Sequence, residues 1–135
     1  MNLTRRYHFA ASHRLNTDAL TPEQNARLYG KCNNPYGHGH DYVLDLTVQG
    51  TPDAAGQLVN RQALDGLIQE RVLQYLDHRN LNCDVVELRG KVATTENLAL
   101  AIENMLSEGW TLSARLVRVR VSETDRNSFM LETAK

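Results

Sequence analysis

His38-Gly39-His40-Asp41-Tyr42-Val43-Leu44-Asp45-Leu46-Thr47-Val48-Gln49 is the stretch on which the fold turns. Tyr42, Leu44, Leu46 and Val48 share one parity, while Asp41, Asp45, Thr47 and Gln49 share the other. Alternate residues of a strand project to the same side, so residues 40–49 predict a strand with one apolar and one wet face. His38 and His40 open it on the apolar parity. Two imidazoles turned inward need partners, because burying polar rings without them costs free energy.

Upstream, Leu3, Tyr7, Phe9, Ala11 and Leu15 fall on one parity of residues 3–15, and this is a first strand. Downstream, Gly50 to Gly56 form a turn, and Asn60 is suited to cap a helix carrying Leu64, Leu67, Ile68, Val72, Tyr75 and Leu76. Thr94-Thr95-Glu96 starts a second helix with Leu98, Ile102, Met105 and Leu106 along one side and Gly109 at its C-terminal cap. Two strands close the chain: residues 114–123, with Val117, Val119 and Val121 on one face, and residues 127–132. The order is strand, strand, helix, helix, strand, strand. It predicts an α+β fold, a four-stranded and mostly antiparallel sheet covered by two helices on one face. No repeat, linker or low-complexity segment interrupts it, so residues 1–135 are expected to form a single domain.

The 135 residues are 41% hydrophobic, with 15 basic and 16 acidic side chains and a net charge of −1. A nucleic-acid partner is not expected, because counterion-release binding needs a basic patch and the Arg115 to Arg120 arginines alternate with apolar residues. No segment has the length of a membrane-spanning helix. Met-Asn-Leu-Thr-Arg-Arg has no apolar run behind it, and two cysteines do not make a disulfide framework. A reducing, cytoplasmic location follows as the expectation.

The chemistry gathers at a few positions. His13 has the parity of Phe9 and Ala11 and offers a third nitrogen beside His38 and His40, the ligand set of a catalytic zinc. The bland account is a pair of histidines bonded to loop carbonyls. Cys32 lies in the loop Gly30 to Gly37 beside Lys31, where a lowered pKa would suit a base or nucleophile; a fourth ligand and an inert thiol stand against that. Cys83 has no such company. Asp77 adjoins His78, an orienting carboxylate next to a proton carrier if a loop turns them together, or a helix-terminal histidine favoured by the dipole. Glu123 ends an apolar strand face. Its carboxylate suits two adjacent N–H groups of a guanidine-like ring edge, or an arginine of the protein itself.

Five blocks in order resemble the 6-pyruvoyltetrahydropterin synthase family over nearly the whole chain. They are Phe9-Ala10-Ala11-Ser12-His13-Arg14-Leu15, Leu28 to His40, Leu76-Asp77-His78-Arg79-Asn80-Leu81, Thr94-Thr95-Glu96-Asn97 and Glu123-Thr124-Asp125. The resemblance implies the tunnelling fold, with barrel-like trimers stacked into a homohexamer. It implies Zn2+ held by His13, His38 and His40, and catalysis by Cys32, Asp77 and His78, the thiol and the Asp77-His78 pair coming from different subunits. It also implies a pterin ring bound by Glu123 and by the chain around Thr94, Thr95 and Glu96. The implied reaction converts 7,8-dihydroneopterin triphosphate to 6-pyruvoyltetrahydropterin with release of triphosphate. A sister branch, 6-carboxytetrahydropterin synthase, releases acetaldehyde from the same substrate and resembles Cys-x3-His-Gly-His. This chain has Cys-x5-His-Gly-His, as the pyruvoyl branch does. Asp41, where the family pattern has Asn, is a departure expected to put a charge next to the metal ligands.

Overall fold

In the computed structural model, which describes residues 1–133, β1 (Asn2–His13) and β2 (His38–Gln49) run antiparallel without a break in register, from Asn2 opposite Gln49 to His13 opposite His38. The strand β3 (Arg79–Asn80) lies parallel to β1 at Ala11 and Ser12. β4 (Arg115–Ser122) pairs antiparallel with β2, and β5 (Ser128–Glu132) pairs antiparallel with β4. The order is β3-β1-β2-β4-β5. The sheet is therefore mixed and five-stranded rather than four-stranded and antiparallel. Two polar residues carry no alternation, so β3 left no mark on the periodicity.

Tyr42, Leu44, Leu46 and Val48 are fully buried beneath the helices, as the alternation requires. The middle of the opposite face of β2 is also covered. Asp45 and Thr47 are buried because β2 is central and its neighbours' side chains arch over them. Arg6 grips Asp45 through Nε and Nη2 at 2.9 and 3.1 Å, and the Thr4 and Thr47 hydroxyls meet at 2.8 Å. Register slips between Thr47 and Val48, where β4 holds an extra residue. This bulge turns Leu116 inward and leaves Val117 half-buried, correcting the expectation that Val117 shares the face of Val119 and Val121.

Three helices carry the remaining structure. α1 (Pro22–Tyr29) begins with a reciprocal capping box, Thr21 accepting from the Gln24 N–H and Gln24 accepting from the Thr21 N–H. α2 (Arg61–Ile68) is capped by Asn60 and runs on through a π turn, Gln69–Leu73, to a last α turn, Gln74–Leu76. The wide turn re-phases the helix. Leu64, Ile68, Val72 and Leu76 all stay buried, while Tyr75 swings out into solvent instead of joining them. Asp65 fastens α2 to β1, accepting from Arg5 at 2.6 and 2.7 Å and from the Tyr7 hydroxyl at 2.7 Å. The Arg5 bond, foremost, holds the Asp65 carboxyl below its usual range.

α3 (Thr95–Gly109) is capped by Thr94, whose hydroxyl accepts from the Asn97 N–H, an interaction of about 1 kcal/mol. It packs on β4 and β5 and against the π turn of α2. Gly109 is the last helical residue, and the cap is Trp110 in extended conformation. The Arg71 guanidinium lies over Gly109 and reaches the Met105 carbonyl in the last turns of α3; a Cβ at position 109 would displace this flexible side-chain end.

Candidate active site

The register of β1 and β2 builds the centre. His13 sits across from His38, and His40 lies two residues along the same face, opposite Ala11. The three ring centroids are 4.4 to 5.4 Å apart. Cys32 completes the group, its Sγ 3.0 Å from His38 Nε2. One ligand atom from each of His13, Cys32, His38 and His40 lies within 4.8 Å of every other.

Second contacts fix which nitrogens face inward. Ala93 O is an obligate acceptor 2.9 Å from His13 Nδ1, so that nitrogen carries the proton and Nε2 presents its lone pair. His13 Nε2 and His40 Nε2 are buried without a hydrogen-bond partner. Glu123 Oε1 lies 2.9 Å from His40 Nε2 and 3.6 Å from His13 Nε2, close yet without the alignment of a hydrogen bond. Buried nitrogens are seldom orphaned, and these two aim at one point shared with a third imidazole and a thiol. The group is able to bind a metal ion.

Burial, foremost, lowers the pKa of both His13 and His40 from the ordinary 6.5, so the rings stay neutral and ready to ligate. Cys32 behaves differently from the sequence expectation. Burial and then the Glu123 charge push its thiol up, and Lys31 is exposed. Without a cation nearby the thiol stays protonated.

The histidine shifts carry a pH signature in metal-free protein. Above 6.5 folded and unfolded chains both hold neutral rings there, and pH does not discriminate. As pH falls below 6.5 the unfolded chain takes up protons that the folded chain refuses, so stability is lost toward the depressed folded values. The thermal midpoint of metal-free protein is expected to drop from about pH 7 to about pH 5. Calorimetry at stepped pH checks it, and a flat midpoint across that window would contradict a neutral buried pair.

The thiol loop is tied to the end of β1. Cys32 O accepts from Leu15 N at 2.6 Å, and Arg14 Nε donates to Asn33 O at 3.2 Å. Gly37 adopts φ of 71° and packs so tightly on His13 that a Cβ would collide with the His13 carbonyl oxygen; only glycine meets both demands.

Asp77 and His78 dock on the outer edge of β1. Ala10 N–H donates to Asp77 Oδ1 at 2.9 Å, and His78 N–H donates to Ala10 O at 2.6 Å. His78 takes φ of 60°, the left-handed turn that lets adjacent residues face each other, with Nδ1 3.1 Å from Asp77 Oδ1. Its side chain is 83% exposed. Among the described residues no hydrogen bond joins this pair to Cys32.

Glu123, just past β4, turns toward the histidines, and Thr95, itself buried, donates its hydroxyl to Glu123 Oε2 at 3.0 Å. No arginine pairs with this carboxylate among the described residues. Thr94 serves the helix cap and Glu96 is exposed. Asp41 is exposed on the face of β2 opposite His38 and His40, so its charge does not point at the ligands as the sequence reading expected. The Ala93 carbonyl and the Thr95–Glu123 bond were invisible in the sequence: a backbone oxygen has no signature, and the threonine is 28 residues away from its partner.

Fold and centre together define an α+β protein with three imidazoles and a thiol gathered at the end of a central strand pair. A family model described as 6-pyruvoyl tetrahydropterin synthase matches residues 2–134, and the chain belongs to that family. It is 44% identical over 126 residues to 6-pyruvoyl tetrahydrobiopterin synthase of Homo sapiens, covering 93% of this chain and 86% of that one. The relative of the same name in Dictyostelium discoideum is 43% identical, covering 93% of this chain and 90% of its own. The solved 6-pyruvoyl tetrahydropterin synthase of Caenorhabditis elegans superposes with a TM-score of 0.88 at 34% identity, covering 99% of this chain and 96% of that one.

Proposed function

We propose that the chain is a zinc-dependent lyase converting 7,8-dihydroneopterin triphosphate to 6-pyruvoyltetrahydropterin with release of triphosphate. The observation that carries the reading is the pair of orphaned nitrogens, His13 Nε2 and His40 Nε2, converging with His38 and Cys32. Neutral imidazoles with a thiol favour a borderline cation over hard ones, and zinc fits. His13, His38 and His40 hold it. When bound, the ion supplies Lewis-acid polarisation of the substrate's side-chain oxygens.

The protein's own groups do the rest. Glu123, its Oε2 steadied by Thr95, accepts the paired N–H groups of the pterin ring, and the chain at Thr94 to Glu96 flanks it. Cys32, beside His38, takes and returns protons on the substrate side chain. His78 carries protons onward, oriented by Asp77.

The relay belongs to a neighbouring subunit in this reading. His78 projects into solvent, and the outer edge of β1 before Ala10 and the outer edge of β5 are unpaired among the described residues. Open edges of that kind invite pairing with other copies. A ring of three, stacked as a hexamer, closes both edges and brings His78 to a partner's thiol. The single-domain reading of residues 1–135 and a cytoplasmic location complete the proposal.

The test is incubation of the zinc-loaded protein with 7,8-dihydroneopterin triphosphate and mass spectrometry of the products. A six-pyruvoyl pterin with free triphosphate is expected. A six-carboxy pterin with acetaldehyde, or untouched substrate, overturns the reading.

A further inference from the structure

We propose that Asn33, through its side-chain amide, is the positioning residue that holds the Cys32 thiol in register with the histidine cluster. The Asn33 Nδ2 group donates twice, to Leu15 O at 2.7 Å and to Asn16 Oδ1 at 3.0 Å. Leu15 O can only accept, which settles the amide's orientation. Leu15 N already donates to Cys32 O. Both backbone groups of Leu15 are thus paired with the Cys32–Asn33 segment, and the Asn33 side chain acts as an additional rung of a β ladder.

Besides the amide, the segment is held to the end of β1 by Leu15 N donating to Cys32 O at 2.6 Å and by Arg14 Nε donating to Asn33 O at 3.2 Å, both main-chain contacts that substitution of the Asn33 side chain leaves in place. Gly30–Asn33 is a single 3-10 turn, and Lys31, Asn34, Pro35 and Tyr36 are exposed. Only Cys32 and Asn33 turn inward at this turn, Cys32 toward His38 and Asn33 toward the residues that follow His13. The amide therefore ties the loop bearing the thiol to the strand bearing a ligand. Deleting it leaves the ligands untouched and frees the thiol.

Two variants separate this role from mere space-filling. Asn33→Ala removes both donors. Asn33→Asp keeps the shape and turns a carboxylate toward the Leu15 carbonyl, which can only accept, so it is expected to be the worse of the two; a filler role orders them the other way. The first readout needs no substrate: alkylation of metal-free protein by iodoacetamide, mapped by peptide mass spectrometry. Cys83 is exposed and serves as the internal reference. The Cys32-to-Cys83 rate ratio is expected to rise about tenfold in Asn33→Ala and further in Asn33→Asp, the scale set by losing side-chain hydrogen bonds.

The second readout rests on the lyase reading above. In zinc-loaded protein, kcat is expected to fall about tenfold with KM and metal content within about twofold of wild type. If wild-type protein leaves the substrate untouched, the lyase reading fails and the alkylation ratio still decides the role of Asn33. An unchanged ratio in both variants, or an Asn33→Asp protein closer to wild type than Asn33→Ala, overturns the proposal.

Discussion

Alanine at His40 is expected to give a folded protein that holds no zinc and turns over substrate at least about a thousandfold more slowly than wild type. Loss of an outer-sphere partner alone costs about 10- to 100-fold in metal affinity, and the proposed function makes His40 an inner ligand. Its Nε2 is buried with no hydrogen-bond partner, and a single cation would satisfy it together with His13 Nε2 and His38. Stability is not expected to follow function. A buried, unpaired polar atom costs about 1–3 kcal/mol, so trimming it in metal-free protein removes a burden as well as packing. The thermal midpoint without metal is therefore expected within a few degrees of wild type. Elemental analysis after gel filtration and calorimetry check the two halves. A variant retaining stoichiometric zinc would remove His40 from the ligand set.

The sequence showed the centre more clearly than it showed the frame. Parity alone set His38 and His40 on the buried face of β2, and register then brought His13 opposite His38. Strand alternation is read from neighbouring residues, so it survives without tertiary knowledge. Elements shaped by remote contacts escaped. β3 exists because Arg79 and Asn80 lie along Ala11 and Ser12, and nothing within two polar residues announces that. α1 was legible in principle, since Thr21-Pro22-Glu23-Gln24 spells a capping box with proline in the first turn. Tyr75 and Val117 were misplaced by a π turn and a bulge, one extra residue each against the regular period. The Asp77–His78 contact depends on a left-handed histidine, a backbone state that residue spacing does not report. The misplaced side chains, Tyr75 and Val117, lie where geometry departs from a regular repeat.

Cys32→Ala is expected to keep the metal and lose about 10²- to 10⁴-fold in kcat, the range over which a positioned proton-transfer group contributes. The retained metal matters as much as the lost rate. Cys32 Sγ lies within reach of the cluster, so a thiol serving as permanent ligand would take the ion with it when removed. Zinc content at wild-type level with a collapsed kcat assigns the sulfur to chemistry; zinc loss assigns it to a closed, structural site and ends the lyase reading. His78→Ala is expected to reach a similar kcat, because the proposed relay has the two groups move the same protons. Mixing the two inactive proteins then tests where the pocket is built. If thiol and relay come from different subunits, random reassembly gives about a quarter of the sites a wild-type Cys32 from one chain and a wild-type His78 from its neighbour. Activity returning to that fraction is the expected result, after brief denaturation and renaturation to exchange subunits. A pocket built within one chain leaves the mixture dead, because every chain then carries a broken site. The exposure of His78 and the open edge of β1 beside it favour recovery.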